Sequence, residues 1–220
     1  PLNLLGNREW FRFDRVADYF EAVEASPPAL NIALLVGHST LRAATMDKLD
    51  RPATPAEIER MGELLDEAME AGCIGLSTGL AYPTAIEAPT EEVTELTRRA
   101  ASHGGIYATH MRNEDERLLD SVDETTRIGR DAGARCVISH HKACGRANWG
   151  KTEESLARID KANRDGQAVD FDVYPYTASS SVLLAHFVER AEKVLITWST
   201  PHPEVAGEEP STPFRSTEFG

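Results

Sequence analysis

His110, His140 and Lys142 are the residues whose types and spacing most directly suggest chemistry. His110 lies in GIYATHM and His140 in CVISHHK, thirty residues further on. Successive side chains of a strand point to opposite faces. A strand over 136–142 therefore sends His140 and Lys142 one way and His141 the other, so the histidine doublet offers one imidazole to a site. Adjacent strands lie about 4.8 Å apart, close enough for imidazoles at equal height to converge on one ion. Zinc takes histidine nitrogen at about 2.0–2.1 Å, and a catalytic zinc has three protein ligands plus water. No third ligand is apparent. Spacing alone leaves a metal pair and an ordinary polar pair both open. Lys142 reads either as a point charge for a carboxylate or as a surface lysine at a loop start.

Elements that could position these residues recur along the chain. Five apolar, β-prone runs occupy 31–37 (NIALLVG), 73–80 (CIGLSTGL), 105–111 (GIYATHM), 136–142 (CVISHHK) and 169–176 (VDFDVYPY). Helical patterns separate them. Thr54-Pro-Ala-Glu57 is a capping box with proline at the first helical position, followed by Ile58, Met61, Leu64, Leu65, Ala68 and Met69 at helical period. Thr90-Glu-Glu opens a second helix with Val93, Leu96 and Ala100 on one face. Leu118, Val122 and Ile128 mark a third; Leu156 and Ile159 mark a fourth.

Alternating strands and helices fit a doubly wound sheet or a (β/α)8 barrel. No GxGxxG or P-loop supports the first. Polar residues stand at the end of nearly every run: His38, Ser77-Thr78, His110, His140 with Lys142, then Asp172 and Tyr174. A barrel gathers its strand C-termini around one mouth. The expected fold is α/β, a partial (β/α)8 TIM-type barrel incomplete at both ends, because five strands do not close one. Residues 1–182 form its central part; 183–220 begin an inserted lid or loop region and a tail rich in Pro, Gly, Ser, Thr and Glu.

The remaining polar residues have plainer readings. His38 reads as structural, His141 as packing against a helix, and His103 as a helix C-terminal residue suited to the dipole. Tyr82, before Pro83, either bonds a substrate or caps the barrel. Arg112 and Glu114 read as an ion pair supporting a loop. Ser179, Ser180 and Ser181 lack a Gly-x-Ser-x-Gly elbow, which disfavours a serine hydrolase. His186 and His202 lie in the tail.

The chain has 220 residues and a net charge of −13, which argues against nucleic acid and anionic membranes as partners. It contains no apolar run of about 18 residues and no signal-peptide pattern. Cys73, Cys136 and Cys144 make an odd count without a CxxC pair, so reduced thiols and a cytoplasmic address are expected. The start at Pro1, without methionine, suggests a piece of something longer.

Several stretches together resemble the D-aminoacylase, or N-acyl-D-amino-acid deacylase, family of the amidohydrolase superfamily. They are VGHSTLR (36–42), GLSTGLAYP (75–83), PTEE (89–92), YATHMR (107–112), ISHHK (138–142), NWG (148–150), DVYPYTAS (172–179) and ITWSTPHPEVAG (196–207), in family order. The resemblance implies a metal-dependent (β/α)8 barrel beside a small β domain. It implies zinc held by His110 and His140, and a small-molecule N-acyl-D-amino acid as substrate. Lys142 and Tyr82 would bind the substrate's carboxylate, with Ser179 nearby. The reaction implied is hydrolysis of the amide bond to a carboxylate and a D-amino acid.

The family's HxH pair, cysteine ligand, late catalytic aspartate and substrate-binding arginine have no counterpart here. They would lie before Pro1 or beyond Gly220, so little or no activity is expected of the chain alone. Residues 208–220 do not continue the family pattern. Two alternatives stand beside this reading. A cyclic-amide amidohydrolase of the dihydroorotase or hydantoinase kind needs a carboxylated lysine on an earlier strand, and neither 73–80 nor 105–111 contains a lysine. A non-catalytic structural remnant would need no paired histidines.

Overall fold

The structure is a computed structural model that describes residues 8–181, 188–189, 191–199 and 202–209. They fall into two units. One comprises 12–144 with 148–174; the other holds the residues up to Phe11, Gly145–Ala147 and those from Pro175 onward.

The larger unit carries one parallel sheet of five strands in sequential order: β1 Val36–Gly37, β2 Gly75–Gly79, β3 Ile106–His110, β4 Cys136–Ile138 and β5 Val169–Phe171. Its helices are α1 Val16–Ala25, α2 His38–Thr45, α3 Pro55–Glu70, α4 Thr90–Ser102, α5 Leu118–Ala132 and α6 Lys151–Arg164. From α2 to α6, each helix packs on the next. Parallel crossovers share one hand, so strands laid down in strict sequence put every helix on the same face. A doubly wound sheet reverses direction and covers both faces. The arrangement is an arc of a (β/α)8 barrel, as expected.

The register sorts the side chains. One rung, Val36–Leu76–Tyr107–Cys136–Val169, is buried in all five strands. It meets Met61, Leu65 and Ala68 of α3, Val93, Leu96 and Ala100 of α4, Leu118, Val122 and Ile128 of α5, and Ile159 of α6 in one core. Fully burying an aliphatic side chain of this size contributes roughly 1.5–3 kcal/mol. The next rung, Gly37–Ser77–Ala108–Val137–Asp170, points to the opposite, inner face. His110 has the parity of Ala108 and so stands on that inner face at the C-terminal end of β3.

The capping box at α3 is present: Glu57 N–H donates to Thr54 Oγ1 at 3.3 Å and Thr54 N–H to Glu57 Oε2 at 2.8 Å. At α5 the chain stops at Gly133, which takes the left-handed conformation (φ 72°) that favours glycine. Three expectations need correction. Residues 31–35 form no strand, although Leu34 O still accepts from Ile74 N–H at 2.8 Å. The runs 136–142 and 169–176 yield strands of only three residues, because both chains turn where their polar groups begin to bond each other. Leu156 remains 36% exposed, since α6 turns Ser155 and Ile159 to the core instead.

The second unit holds short helical turns at Arg8–Trp10 and Pro203–Val205. Ile196 and Gly207–Glu208 exchange backbone hydrogen bonds of 2.7 and 3.0 Å. His202 lies there, 3.2 Å from Glu204; His186 lies outside the described residues. Among the described residues no helix is long and apolar enough to cross a membrane.

Candidate functional site

The inner-face neighbour of His110 in the register is Gly79. A side chain at Gly79 would collide with Tyr82, because an added Cβ would stand 2.7 Å from the Tyr82 ring. Glycine there lets the chain fold back, with Ala85 and Ile86 N–H both donating to Tyr82 O at 2.9 Å. The Tyr82 and His110 ring centroids come to 4.9 Å. Two arginines pin the loop by its carbonyls. Arg112 donates to Ile86 O at 2.8 Å and Ala88 O at 2.9 Å, and Arg42 donates to Thr84 O at 3.0 Å.

β4 ends at Ile138, so strand alternation does not reach the histidine doublet. The split it was expected to cause occurs by another route. His140 adopts φ +43°, the one positive value at a non-glycine position among the described residues. Asp172 Oδ1 accepts the His140 N–H at 2.6 Å, and Asp172 O accepts the His141 N–H at 2.8 Å. This turn aims His140 at His110. His141 goes the other way, 2.9 Å from Ser155 Oγ in α6, which is the packing role expected of it.

His110 Nδ1 and His140 Nε2 stand 3.0 Å apart, with ring centroids at 4.7 Å. Behind His140, Glu114 Oε1 lies 3.0 Å from its Nδ1, and Glu114 Oε2 lies 2.7 Å from Lys142 Nζ. Lys142 Nζ also reaches His140 O at 2.8 Å and stands 5.6 Å from the Tyr174 ring centroid. Among the described residues, His110, Glu114 and His140 are the group able to hold a metal ion, with one ligand atom from each within 4.8 Å of the others.

Electrostatics favours the ligand forms. Burial pushes the His110 imidazole down to about 4, against the pull of Glu114 and with help from His140 and Lys142. It is neutral at pH 7, with a lone pair to give. Burial would raise the Glu114 carboxyl, but its contacts with His140 and Lys142 outweigh this and hold it below the usual range.

Of the residues singled out from sequence, His110, His140, Lys142 and Tyr82 come together here. Ser179 is exposed and belongs to the other unit. Arg112 and Glu114 do not pair with each other. Arg112 supports its loop as expected, but through Glu124 at 2.9 Å. Glu114, four residues after His110, reads from sequence only as half of a loop ion pair, and Tyr174, placed at the barrel mouth, has no role assigned there; nearness in sequence to a polar strand end was the available signal. His38 is structural: fully buried, 2.9 Å from Glu92. His103 caps α4 and reaches Asp66 at 3.0 Å.

No protein-family model matches the chain. It is similar to a D-aminoacylase of Alcaligenes xylosoxydans xylosoxydans, 49% identical over 207 residues, which cover 94% of this chain and 43% of that protein. A crystal structure of D-aminoacylase, described as defining a novel subset of amidohydrolases, superposes with a TM-score of 0.90 at 49% identity. That match covers 95% of this chain and 44% of the other. The N-acyl-D-glutamate deacylase of Bordetella bronchiseptica, solved with zinc and a phosphonate inhibitor, gives 0.87 at 42% identity, over 90% of this chain and 42% of the other. The chain thus spans less than half the length of these relatives. By sequence and by barrel arc the chain is homologous to a segment of the D-aminoacylase and N-acyl-D-amino-acid deacylase family of amidohydrolases.

Proposed function

We propose that this chain supplies the metal-holding and carboxylate-holding part of a zinc-dependent N-acyl-D-amino-acid deacylase. The observation that carries this reading is the convergence of His110 Nδ1 and His140 Nε2 at 3.0 Å, with Lys142 beside them. The donor set fits the ion. Neutral imidazoles and carboxylates are zinc's usual ligands, and two atoms at about 2.0–2.1 Å from a tetrahedral zinc lie about 3.3 Å apart.

Zinc bound there supplies Lewis acidity toward an amide carbonyl and lowers the pKa of water toward about 7. His110 and His140 would hold it. Lys142 offers its ammonium to the free carboxylate of the substrate, and Tyr82, its ring tilted against that of His110, borders the same space. Fixing that carboxylate fixes which amide bond meets the metal, an orientation effect. The proton transfer to the leaving nitrogen is assigned to no residue of this chain; the family resemblance gives it to an aspartate beyond Gly220. Ser179 is proposed near the substrate on that resemblance alone; residues 183–220 are proposed to begin a lid or loop region on their Pro, Gly, Ser, Thr and Glu content. The support for a cytoplasmic address is that Cys73, Cys136 and Cys144 are free thiols.

Exchange into a homologue tests the proposal. Residues of this chain replace the matching segment of the Alcaligenes D-aminoacylase, and hydrolysis of N-acyl-D-amino acids is followed. Zinc-dependent turnover that vanishes with His110→Ala or His140→Ala is expected. A folded chimera whose activity ignores both substitutions would refute it.

A further inference from the structure

Glu114 touches two functional residues of the SHHK segment at once. Its Oε1 meets His140 Nδ1 at 3.0 Å and its Oε2 meets Lys142 Nζ at 2.7 Å. The His140 nitrogen it meets is not the one that faces His110, which is Nε2. A neutral imidazole carries one proton, and its position decides which nitrogen keeps a lone pair. The two neighbours of Nδ1 make opposite demands. A carboxylate only accepts, so Glu114 favours the proton on Nδ1. An ammonium only donates, and Lys142 Nζ, 2.8 Å from Nδ1, favours the lone pair there and the proton on Nε2. Lys142 has other acceptors, Glu114 Oε2 and His140 O at 2.8 Å. Its ammonium thus has two acceptors besides Nδ1, whereas Glu114 Oε1 is buried without a hydrogen-bond partner, and a proton on Nδ1, 3.0 Å away, would supply it one.

Glu114 is also set firmly in place. Cys144 N–H, just past the lysine, donates to Glu114 O at 2.7 Å. The preceding Asn113 accepts from Asp115 N–H at 3.1 Å and Arg117 N–H at 2.9 Å, closing the turn that aims the carboxylate. The side chain is only 10% exposed.

The geometry points to Glu114 as a positioning residue: it fixes His140 in the Nδ1–H tautomer, turning the Nε2 lone pair toward His110, and ties Lys142 to the same carboxylate. Ligand and carboxylate-binding lysine are then held as one unit. The inference rests on the reading of His140 as a metal ligand. Outer partners of a ligating histidine fix its tautomer and are worth about 10–100-fold in metal affinity.

The test uses the 220-residue chain with nitrogen-15 in its histidines. Ring nitrogen shifts report the His140 tautomer in metal-free protein, and competition with a chelator reports zinc affinity. Wild type is expected as Nδ1–H. Glu114→Gln should move His140 toward Nε2–H and weaken zinc by about 10–100-fold, and Glu114→Asp should restore part of both. An Nε2–H tautomer in wild type overturns the inference without need of any variant. So does Glu114→Gln with unchanged tautomer and zinc affinity. Wild-type protein that shows the Nδ1–H form yet binds no zinc would uphold the role of Glu114 and overturn the metal reading instead.

Discussion

Asp172, just past the end of β5, holds the backbone of His140: its Oδ1 accepts the His140 N–H at 2.6 Å. That bond accompanies a left-handed conformation at His140, φ +43°, which costs a non-glycine residue about 1–2 kcal/mol. Strain of this kind persists where surrounding bonds over-determine it. Asp172 supplies two of them, through its side chain and its carbonyl. The result separates the doublet, one histidine to the barrel's inner face and one to α6.

Removing that hold should loosen His140. Asp172→Ala is expected to weaken zinc binding by about tenfold, in the range of other partners that orient a ligand. Asp172→Asn keeps an acceptor oxygen and should retain most of the affinity. Chelator competition on the two variants reads the difference; equal affinities for both and for wild type would detach the turn from the site.

Gly79 should be intolerant of a side chain for a reason confined to Tyr82. In Gly79→Ala the new methyl stands where the Tyr82 ring now lies, so the ring must move away from His110. In a deacylase chimera the expected loss is on the order of 10–100-fold in kcat/KM, with zinc content unchanged. Steady-state kinetics beside metal analysis checks it. A loss of zinc in parallel would mean that the strand end, not the tyrosine, had been disturbed.

The buried Glu92 gives the fold an acid limit. Its Oε1 meets Arg42 Nη1 at 2.5 Å and His38 Nε2 at 2.9 Å, and its Oε2 accepts from Ala53 N–H at 3.0 Å. Burial would raise the carboxyl, but these bonds outweigh it and lower it. A folded value below the unfolded one means the ionised form stabilises the fold above the unfolded pKa, about 4.3. That stability is lost as pH falls from there through the folded value. Urea midpoints between pH 7 and pH 3 should decline in wild type. Glu92→Gln should be destabilised by about 3–5 kcal/mol at pH 7, because Arg42 is left buried without its partner, and should decline less steeply with acid. Parallel acid profiles would contradict the assignment.

These particulars show where sequence is informative. His110 was legible because β3 is a real strand and a thirty-residue repeat puts the next polar strand end beside it. The direction of His140 was legible too, but the reason was not: it follows from Asp172, thirty-two residues on, and not from strand alternation. Glu114 escaped because neighbours in sequence looked sufficient for Arg112, whereas a long guanidinium reaches Glu124 and two loop carbonyls instead. α2 escaped because its buried face includes His38 and Arg42, polar residues satisfied by Glu92 and by carbonyls distant in sequence. No apolar period announces such a helix.

His110 and His140 are proposed to hold the ion together. Equilibrium zinc binding to the 220-residue chain, to His110→Ala and to His140→Ala, measures it most directly. Wild type is expected to bind, and each variant to lose more than about 100-fold, beyond what an outer partner is worth. Wild-type affinity in both variants would contradict it.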